Sequence, residues 1–255
     1  MSSIEFQLES SGIATLAVNR PEVRNALDWE AMYAFSETLQ RIDKSPDVRA
    51  LIITGRGSTF IAGGDMKALA SYDTRRDGLR VSRLMGKALE RLRALPFPSI
   101  AAINGPARGG GAEIAAACDM RVMARDASIG FVQASLGIAT GWGGARYLLH
   151  MIGYPKALEL LATGRVLSGE EAEEIGLVNL LAAPGGAVDA AYELARQIAQ
   201  HPVEAVRAAK RLLRFALTAP LTAKSAERQL FAALWASDFK RKVVAERFLQ
   251  KKPKG

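Results

Sequence analysis

Short apolar runs alternate with longer amphipathic stretches over the first 200 residues of the chain. Four runs are short, apolar and partly β-branched, which is typical of strands, and they cover residues 13–18, 48–54, 99–103 and 121–124. The stretches between these runs are longer, and several carry apolar residues at helical spacing. Strands that alternate with helices predict an α/β fold class.

The helical stretches carry start and stop signals. Asp28 is a candidate N-cap for the helix after the first strand, whose apolar positions are Met32, Phe35, Leu39 and Ile42. A second stretch runs through Leu84, Ala88, Leu92 and Leu95, and Pro96 ends it. Further along, Ser168 and Glu171 form a capping-box pattern, and Gly176 follows as a C-terminal glycine.

Strand signals stop after residue 185, and the rest of the chain predicts helices. These stretches are "VDAAYELARQIAQ", "PVEAVRAAKRLLRFAL", "AKSAERQLFAALWAS" and "KRKVVAERFLQ". No glycine-serine linker marks a boundary. We therefore predict a core over residues 1–200 and a C-terminal helical region over residues 201–255.

The positive charge of the chain is concentrated in that helical region. The formal net charge is +8, and from His201 onward 13 Lys and Arg residues stand against 4 Asp and Glu residues. This pattern indicates either a solvated basic surface or an attraction to a polyanion, such as a nucleotide phosphate or a nucleic acid.

Several classes of protein are disfavoured by what the sequence lacks. Cys118 is the single cysteine, so neither an internal disulfide nor a Cys-rich metal site is expected. No apolar run reaches the eighteen residues of a membrane helix, and the N-terminus lacks the features of a secretory signal, so we predict a cytoplasmic location. His150 and His201 fall on predicted helices, where structural or surface roles are expected rather than metal binding.

Three common catalytic or nucleotide-binding motifs are also missing. The sequence has no G-x-x-x-x-G-K-[ST] loop, and no G-x-G-x-x-G follows a predicted strand. The segment "QASLG" at 133–137 departs from the G-x-S-x-G pattern at its first position, which disfavours a serine hydrolase.

A glycine triplet, Gly109–Gly111, lies between a predicted strand and a predicted helix in "PARGGGAEIAAACDM". Glycines at such a junction leave backbone N–H groups uncovered, and the first N–H groups of a helix have no partner within the helix. Donors fixed in this way suit a developing oxyanion. The alternative is a close packing point between strand and helix that requires glycine.

A second segment, "GSTFIAGGDMKAL" at 57–69, repeats this arrangement. A strand ending near Thr54 leads into a glycine-rich turn, and a helix is expected to start near Asp65. The N–H of Gly64 could supply a second donor, so two such turns facing each other would form a two-amide oxyanion hole.

Taken together, these two segments resemble the crotonase family, the enoyl-CoA hydratase/isomerase superfamily. The similarity extends in order through "NRPEVRNALD" (19–28), "LGIATGWGGARYLLHMIG" (136–153), "ATGRVLSGEEAEEIGLVN" (162–179) and the ending "FLQKKPKG". It implies an α/β fold built as a crotonase-type spiral of ββα turns with a C-terminal α-helical trimerisation region. It also implies an acyl-CoA thioester as substrate and no separate cofactor, because coenzyme A is part of that substrate.

The resemblance assigns roles to individual positions. The amides of Gly64 and Gly110 would form the oxyanion hole. Residues matching coenzyme A contacts are Arg24, Ala62, Gly64, Asp65, Met66, Lys67, Phe248 and Lys251. Phe248 and Lys251 match an aromatic residue and a lysine in the C-terminal tail of the family, which often lie near the nucleotide end of coenzyme A bound in a neighbouring subunit.

Glu113 matches one of the two catalytic carboxylates of the family. Burial at the start of an apolar helix would favour its protonated form, which suits a general acid or base. The second carboxylate is replaced by Gln133, and an amide can hold a water but cannot take up or release a proton. Ordinary hydration, which commonly uses both carboxylates, is therefore in question.

One carboxylate is enough for moving a double bond or for protonating an enolate. Loss of CO₂ from a 2-carboxyacyl-CoA forms that enolate without a base, and a dry pocket would favour it. Expected pocket residues are Phe131, Val132, Leu136 and Trp142. "GWGGARYL" with "GGGAE" also resembles the ethylmalonyl-CoA decarboxylase branch of the family.

Three classes of function therefore remain open. The first is an acyl-CoA enzyme of the hydratase/isomerase type, with decarboxylation of a methylmalonyl-CoA or ethylmalonyl-CoA type substrate as the alternative. The second is an RNA-binding family member, and the third a subunit with a structural role only. The resemblance implies a homotrimer or a hexamer made of two trimers.

Overall fold

The computed structural model describes residues 2–217, 232, 235, 236 and 238–246. Its larger sheet contains six strands: β1 Ile4–Leu8, β2 Ile13–Val18, β3 Ala50–Gly55, β4 Ser99–Ile103, β6 Met120–Ala124 and β9 Leu180–Ala182. They lie side by side in this order, with β1 and β2 antiparallel and all other neighbours parallel. β2, β3 and β4 are buried along their whole length, as expected of strands covered on both faces.

A smaller sheet pairs β5 (Ala107–Arg108) with β7 (Ser128–Gly130) in parallel, and β7 with β8 (Val166–Ser168) antiparallel. An isolated bridge between Ile61 and Ala107 adjoins β5.

The helices connect the strands. Their bounds are α1 Trp29–Asp43, α2 Arg75–Ala94, α3 Gly110–Ala117, α4 Gly144–Thr163, α5 Gly169–Glu174, α6 Ala187–Ala199, α7 Val203–Leu217 and α8 Asp238–Val244. The order β4-β5-α3 repeats as β6-β7-α4, so each repeat contributes a strand to each sheet and then a helix. This is the predicted spiral of ββα turns.

The four predicted strands and the predicted caps are confirmed. β2 has the expected bounds, and β3 begins two residues later than expected. The side chain of Asp28 accepts a hydrogen bond from the Ala31 N–H at 2.9 Å, and Ser168 and Glu171 form both bonds of a capping box. Each cap satisfies a backbone donor that the helix leaves unpaired.

Two local predictions were wrong. Asp65 is followed by turns over residues 66–71 rather than by a helix, although the Leu69 N–H still donates to the Asp65 carbonyl. His201 lies in the connection between α6 and α7, because Pro202 separates those two helices, whereas His150 is on α4 as expected.

Among the described residues, the C-terminal region contacts the core through α7, Trp235 and α8, in which Arg241 lies 3.0 Å from the Asp73 carboxylate. Lys210 of α7 donates to the Phe97 carbonyl at 2.8 Å and to the Asp119 carboxylate at 2.6 Å. The indole N–H of Trp235 donates to the Tyr72 carbonyl. The helix predicted in "AKSAERQLFAALWAS" lies largely outside the described residues, and the boundary near residue 200 stays a prediction.

Candidate active site

The two glycine-rich turns, Glu113 and Gln133 border one cavity of about 510 Å³. This volume is typical of a site for a small organic ligand. The predicted residues that line the cavity are Arg24, Ala62, Gly64, Asp65, Met66, Lys67, Gly110, Glu113, Val132, Gln133, Leu136 and Trp142.

Three predicted residues are placed elsewhere or cannot be placed. Phe131 does not line the cavity: it is 1% exposed and packs in the main hydrophobic core, because the chain turns there so that Val132 faces the cavity instead. Phe248 and Lys251 lie outside the described residues.

The two glycine turns touch each other. Gly63 has a φ of +93°, and a Cβ added to it would lie 2.9 Å from the Gly110 nitrogen. The hydrogen bonds of the Leu27–Gly64 bridge run from the Leu27 N–H to the Gly63 carbonyl and from the Asp65 N–H to the Leu27 carbonyl. Successive amides of an extended segment point to opposite sides, so the Gly64 N–H faces away from Leu27.

The glycine triplet is explained by one backbone conformation and two close contacts. Gly109 has a φ of +51°, in the left-handed region. A Cβ on Gly110 would meet the Trp142 ring at 2.2 Å, and one on Gly111 would meet the Ile61 carbonyl at 1.8 Å. The triplet therefore serves close packing, and it also leaves the Gly110 N–H at the start of α3 beside the cavity.

Asn25 fixes the segment that leads to Gly64. Its amide is fully buried and donates to the carbonyls of Arg56, Thr59 and Phe60 at 2.9, 2.7 and 3.1 Å. Both Arg24 and Asn25 have positive φ values, 56° and 57°. This tight turn places Arg24 beside the cavity and sets the path of the strand-like segment before Gly64.

Glu113 is 2% exposed and accepts hydrogen bonds from at least four N–H groups among the described residues. Its Oε2 accepts from the amides of Trp142 and Gly144, both at 2.8 Å, and its Oε1 accepts from the Gln133 side chain at 2.8 Å and from the Gly141 amide at 3.4 Å. Burial disfavours the charge, as the sequence suggested, but all four donors favour the ionised carboxylate. Glu113 therefore also anchors the N-terminal end of α4, where a negative charge is stabilised by the helix dipole.

Gln133 is bound to Glu113 in a fixed orientation. A carboxylate can only accept, so the Nε2 of Gln133 must face it. The Oε1 of Gln133 is buried and has no hydrogen-bond partner among the described residues. The predicted pair of residues is therefore brought together, with the amide serving as a donor to the carboxylate.

The loop that carries Trp142 is held from two sides. Ser82 of α2 donates to the Gly141 carbonyl at 2.6 Å, while Glu113 accepts from the amides that follow. Gly144 is required here, because a Cβ on it would lie 2.7 Å from the Glu113 Cγ. The indole of Trp142 is consequently fixed against Gly110.

The mouth of the cavity carries charged side chains. Arg24 and Lys67 are exposed and border it. The Asp65 carboxylate accepts from the amides of Lys67 and Ala68, both at 3.1 Å, so it caps the turn that follows. The mouth therefore offers two cations to an anionic ligand.

Sequence reasoning missed several lining residues, of which Arg108 and Trp235 are two large ones. Arg108 donates to the carbonyl and the hydroxyl of Ser128, at 2.9 and 2.7 Å, and burial lowers the pKa of its guanidinium below the usual value. Its position directly before the glycine triplet was a usable signal. Trp235 is distant in sequence, and no local motif marks it.

The described residues do not support a metal site, a membrane-spanning helix or a cysteine nucleophile. No group of His, Cys, Asp and Glu side chains among them could hold a metal ion, and none of their helices is long and apolar enough to cross a membrane. Cys118 is buried, and desolvation raises the pKa of its thiol to about 12, so it is poorly suited to act as a nucleophile.

Comparisons with known proteins place this chain in a family. The model of the enoyl-CoA hydratase/isomerase family matches residues 8–254. Among curated relatives, the ethylmalonyl-CoA decarboxylase of Gallus gallus is 33% identical over 91% of this chain and 80% of its own length. The mitochondrial enoyl-CoA hydratase domain-containing protein 2 of Bos taurus is 39% identical over 82% of this chain and 70% of its own length.

A solved structure agrees with the match. The crystal structure of an enoyl-CoA hydratase from Bacillus anthracis superposes with a TM-score of 0.82 at 30% identity, covering 96% of both chains. The spiral fold, the two touching glycine turns and the family match over nearly the whole length agree. The chain belongs to the enoyl-CoA hydratase/isomerase family.

Proposed function

We propose that this protein removes CO₂ from a 2-carboxyacyl-CoA thioester, and that the amides of Gly64 and Gly110 stabilise the resulting enolate. Family membership supports an acyl-CoA substrate. The observation that carries the choice of reaction is the bond between Gln133 and the fully engaged carboxylate of Glu113.

Hydration is disfavoured by this bond. A hydratase commonly adds water with two carboxylates, and here the second position holds an amide that cannot exchange a proton. The four N–H donors also match the roughly four lone-pair sites of the Glu113 carboxylate. A base with its lone pairs engaged is poorly placed to activate water.

Decarboxylation needs no base. The bond between Cα and the carboxyl carbon breaks, its electron pair forms the Cα=C bond of the enolate, and negative charge develops on the thioester oxygen. CO₂ departs, and Cα then takes a proton from water. Each main-chain donor at that oxygen is expected to contribute about 10²–10³ in rate.

The walls of the cavity support the same reaction. Val132, Leu136, Ile138 and Trp142 line it beside Glu113. An apolar wall next to a buried carboxylate offers little solvation to a second carboxylate, which favours departure as neutral CO₂. We assign Arg24 and Lys67 at the mouth to the phosphates of coenzyme A. We retain Phe248 and Lys251 as proposed contacts of the coenzyme A part of the substrate.

The alternative is a hydratase, in which Glu113 activates a water, or an isomerase, in which Glu113 moves a proton between two carbons. One observation favours it: Glu113 borders the cavity next to both glycine turns. RNA binding is less favoured, because Lys210, one of the basic residues of the tail, is buried against Phe97 and Asp119.

The test offers purified protein four thioesters in parallel: crotonyl-CoA, a 3-enoyl-CoA, methylmalonyl-CoA and ethylmalonyl-CoA. We expect CO₂ release from one or both of the last two, without hydration of crotonyl-CoA. Rapid hydration of crotonyl-CoA would contradict the proposal. The homotrimer or hexamer, the cytoplasmic location and the lack of a separate cofactor remain predictions.

A further inference from the structure

We infer that Trp235, from the C-terminal region, closes the inner end of the cavity and limits the length of the acyl group that can bind. The inference rests on the proposed function only in taking an acyl-CoA thioester as the ligand. It assigns to the C-terminal region a role in substrate selection within the subunit's own site.

The exposure of the lining residues distinguishes an open mouth of the cavity from a buried inner end. Residues with exposed side chains, such as Arg24, Lys67 and Ser135, form the mouth. At the other extreme, the lining side chains of Met32, Leu69, Val81 and Trp235 are at most 2% exposed. An acyl group that enters past the mouth therefore ends against these apolar side chains.

Contacts connect the glycine turns to this inner end. A Cβ on Gly64 would lie 3.4 Å from the Leu69 Cδ1 and 3.7 Å from the Met32 Cε, so both side chains flank the reacting centre. On another wall, Val81 adjoins Ser82, which is bonded to the loop before Trp142. The wall is thus continuous from the proposed enolate site to Val81 and Trp235.

Trp235 is held rigidly enough to act as a limit. Its indole N–H donates to the Tyr72 carbonyl, and its Cβ and Cγ would lie 2.6 and 2.8 Å from a Cβ added to Gly78. Gly78 and Val81 are three residues apart on α2 and so share a face of that helix. Gly78 therefore lets Trp235 approach α2 beside Val81, where a larger side chain would displace it.

The experiment measures dissociation constants of butyryl-, octanoyl- and dodecanoyl-CoA by calorimetry, so that it does not depend on turnover. We expect the native protein to bind butyryl-CoA at least 10-fold more tightly than dodecanoyl-CoA. Trp235→Ala should improve octanoyl-CoA binding at least 10-fold, because each methylene accommodated gains about fourfold. Trp235→Phe keeps a bulky ring and should retain the limit.

Val81→Ala enlarges the same end without touching the Trp235 hydrogen bond, and should improve octanoyl-CoA binding in the same direction. If Trp235→Ala does not fold, the result for Val81→Ala decides whether this end of the cavity limits the acyl length. Equal affinity of the native protein for all three thioesters, or octanoyl-CoA binding that neither alanine variant improves, would overturn the inference while leaving the proposed function intact. Failure to bind any of the three thioesters would overturn both.

Discussion

At the scale of single residues, Glu113 is both part of the cavity wall and an anchor for the loop before α4. Its carboxylate lies in the cavity, yet it also anchors the amides at the start of α4. A change at this residue should therefore affect both the reaction and the position of Trp142.

Glu113→Gln tests this double role. The amide nitrogen would face one of the N–H donors, so at least one buried donor would lose its acceptor. We expect slower turnover with thioester binding retained, because the loop that holds Trp142 against Gly110 loses an anchor. The free energy of unfolding should fall by about 1–3 kcal/mol. Turnover is measured as CO₂ release and stability by urea denaturation. Unchanged turnover would show that the reaction does not depend on this anchor.

Gly110→Ala tests the contact between the glycine turn and Trp142. The new Cβ would overlap the indole at 2.2 Å, so either the ring or the turn must move. We expect kcat/KM to fall about 100-fold or more if the Gly110 N–H is a donor to the enolate.

The control for this experiment is the double variant Gly110→Ala with Trp142→Ala, which removes the overlap. Partial recovery of activity relative to Gly110→Ala alone would show that displacement of the turn caused the loss. A Gly110→Ala variant with native kcat/KM would argue against any role of that amide.

At the scale of secondary-structure elements, α7 is joined to the core by the ion pair of Lys210 and Asp119. Lys210 is 8% exposed, and Asp119 also accepts from the N–H and the hydroxyl of Ser99, both at 2.8 Å. This shared carboxylate connects α7 to β4 and to the end of α3.

Lys210→Met should weaken this connection. Removing one partner of a buried ion pair leaves the charge of the other uncompensated. We expect the free energy of unfolding to fall by about 2–3 kcal/mol. This is less than for a fully buried pair, because Asp119 is 28% exposed. Urea denaturation measures it. Glu204→Gln, an exposed change on the same helix, is the control and should shift stability by less than about 0.5 kcal/mol. Equal stability of both variants would contradict the assignment.

Elements with strong local signals could be predicted from the sequence, and those defined by distant contacts could not. The caps at Asp28 and Ser168 depend on neighbours three residues away, so the sequence was sufficient. β5 has two residues, too few to show a period, and it forms because Ile61 and β7 lie on either side of it. The segment after Asp65 is also too short to show a period, so the sequence did not distinguish a helix from successive turns there.

The candidate site follows the same rule. The two glycine turns and Glu113 were predictable because each lies in a short motif. The four donors to Glu113 were not, since three of them come from a loop 28 to 31 residues further along the chain. Trp235 was not foreseeable either, because its partner Tyr72 is 163 residues away.

At the scale of the whole molecule, the single cysteine is expected to make the free energy of unfolding depend on pH in the alkaline range. Burial raises the pKa of the Cys118 thiol to about 12 in the folded protein, above the value near 8.5 expected when unfolded. The unfolded chain therefore releases this proton first, and the contribution to stability is complete below about pH 8.5 and is lost as the pH rises towards 12.

We expect the free energy of unfolding to fall more steeply between pH 9 and 11 in the native protein than in Cys118→Ala, by up to about 1.4 kcal/mol per pH unit. Denaturant titrations at several pH values measure the difference. Parallel pH profiles for the two proteins would contradict the assignment. In line with its burial, the thiol should react with a disulfide reagent only when the chain opens.

The positions of the three tryptophans have a practical consequence. Trp142 and Trp235 line the cavity, and Trp29 meets Tyr72 edge to face at 5.5 Å, next to the carbonyl that binds Trp235. Two of the three indoles thus border the cavity, and the third packs on the residue that binds one of them. The intrinsic tryptophan fluorescence of this protein should consequently change when a ligand fills the cavity. Ligand binding can then be followed without a label or a coupled reaction.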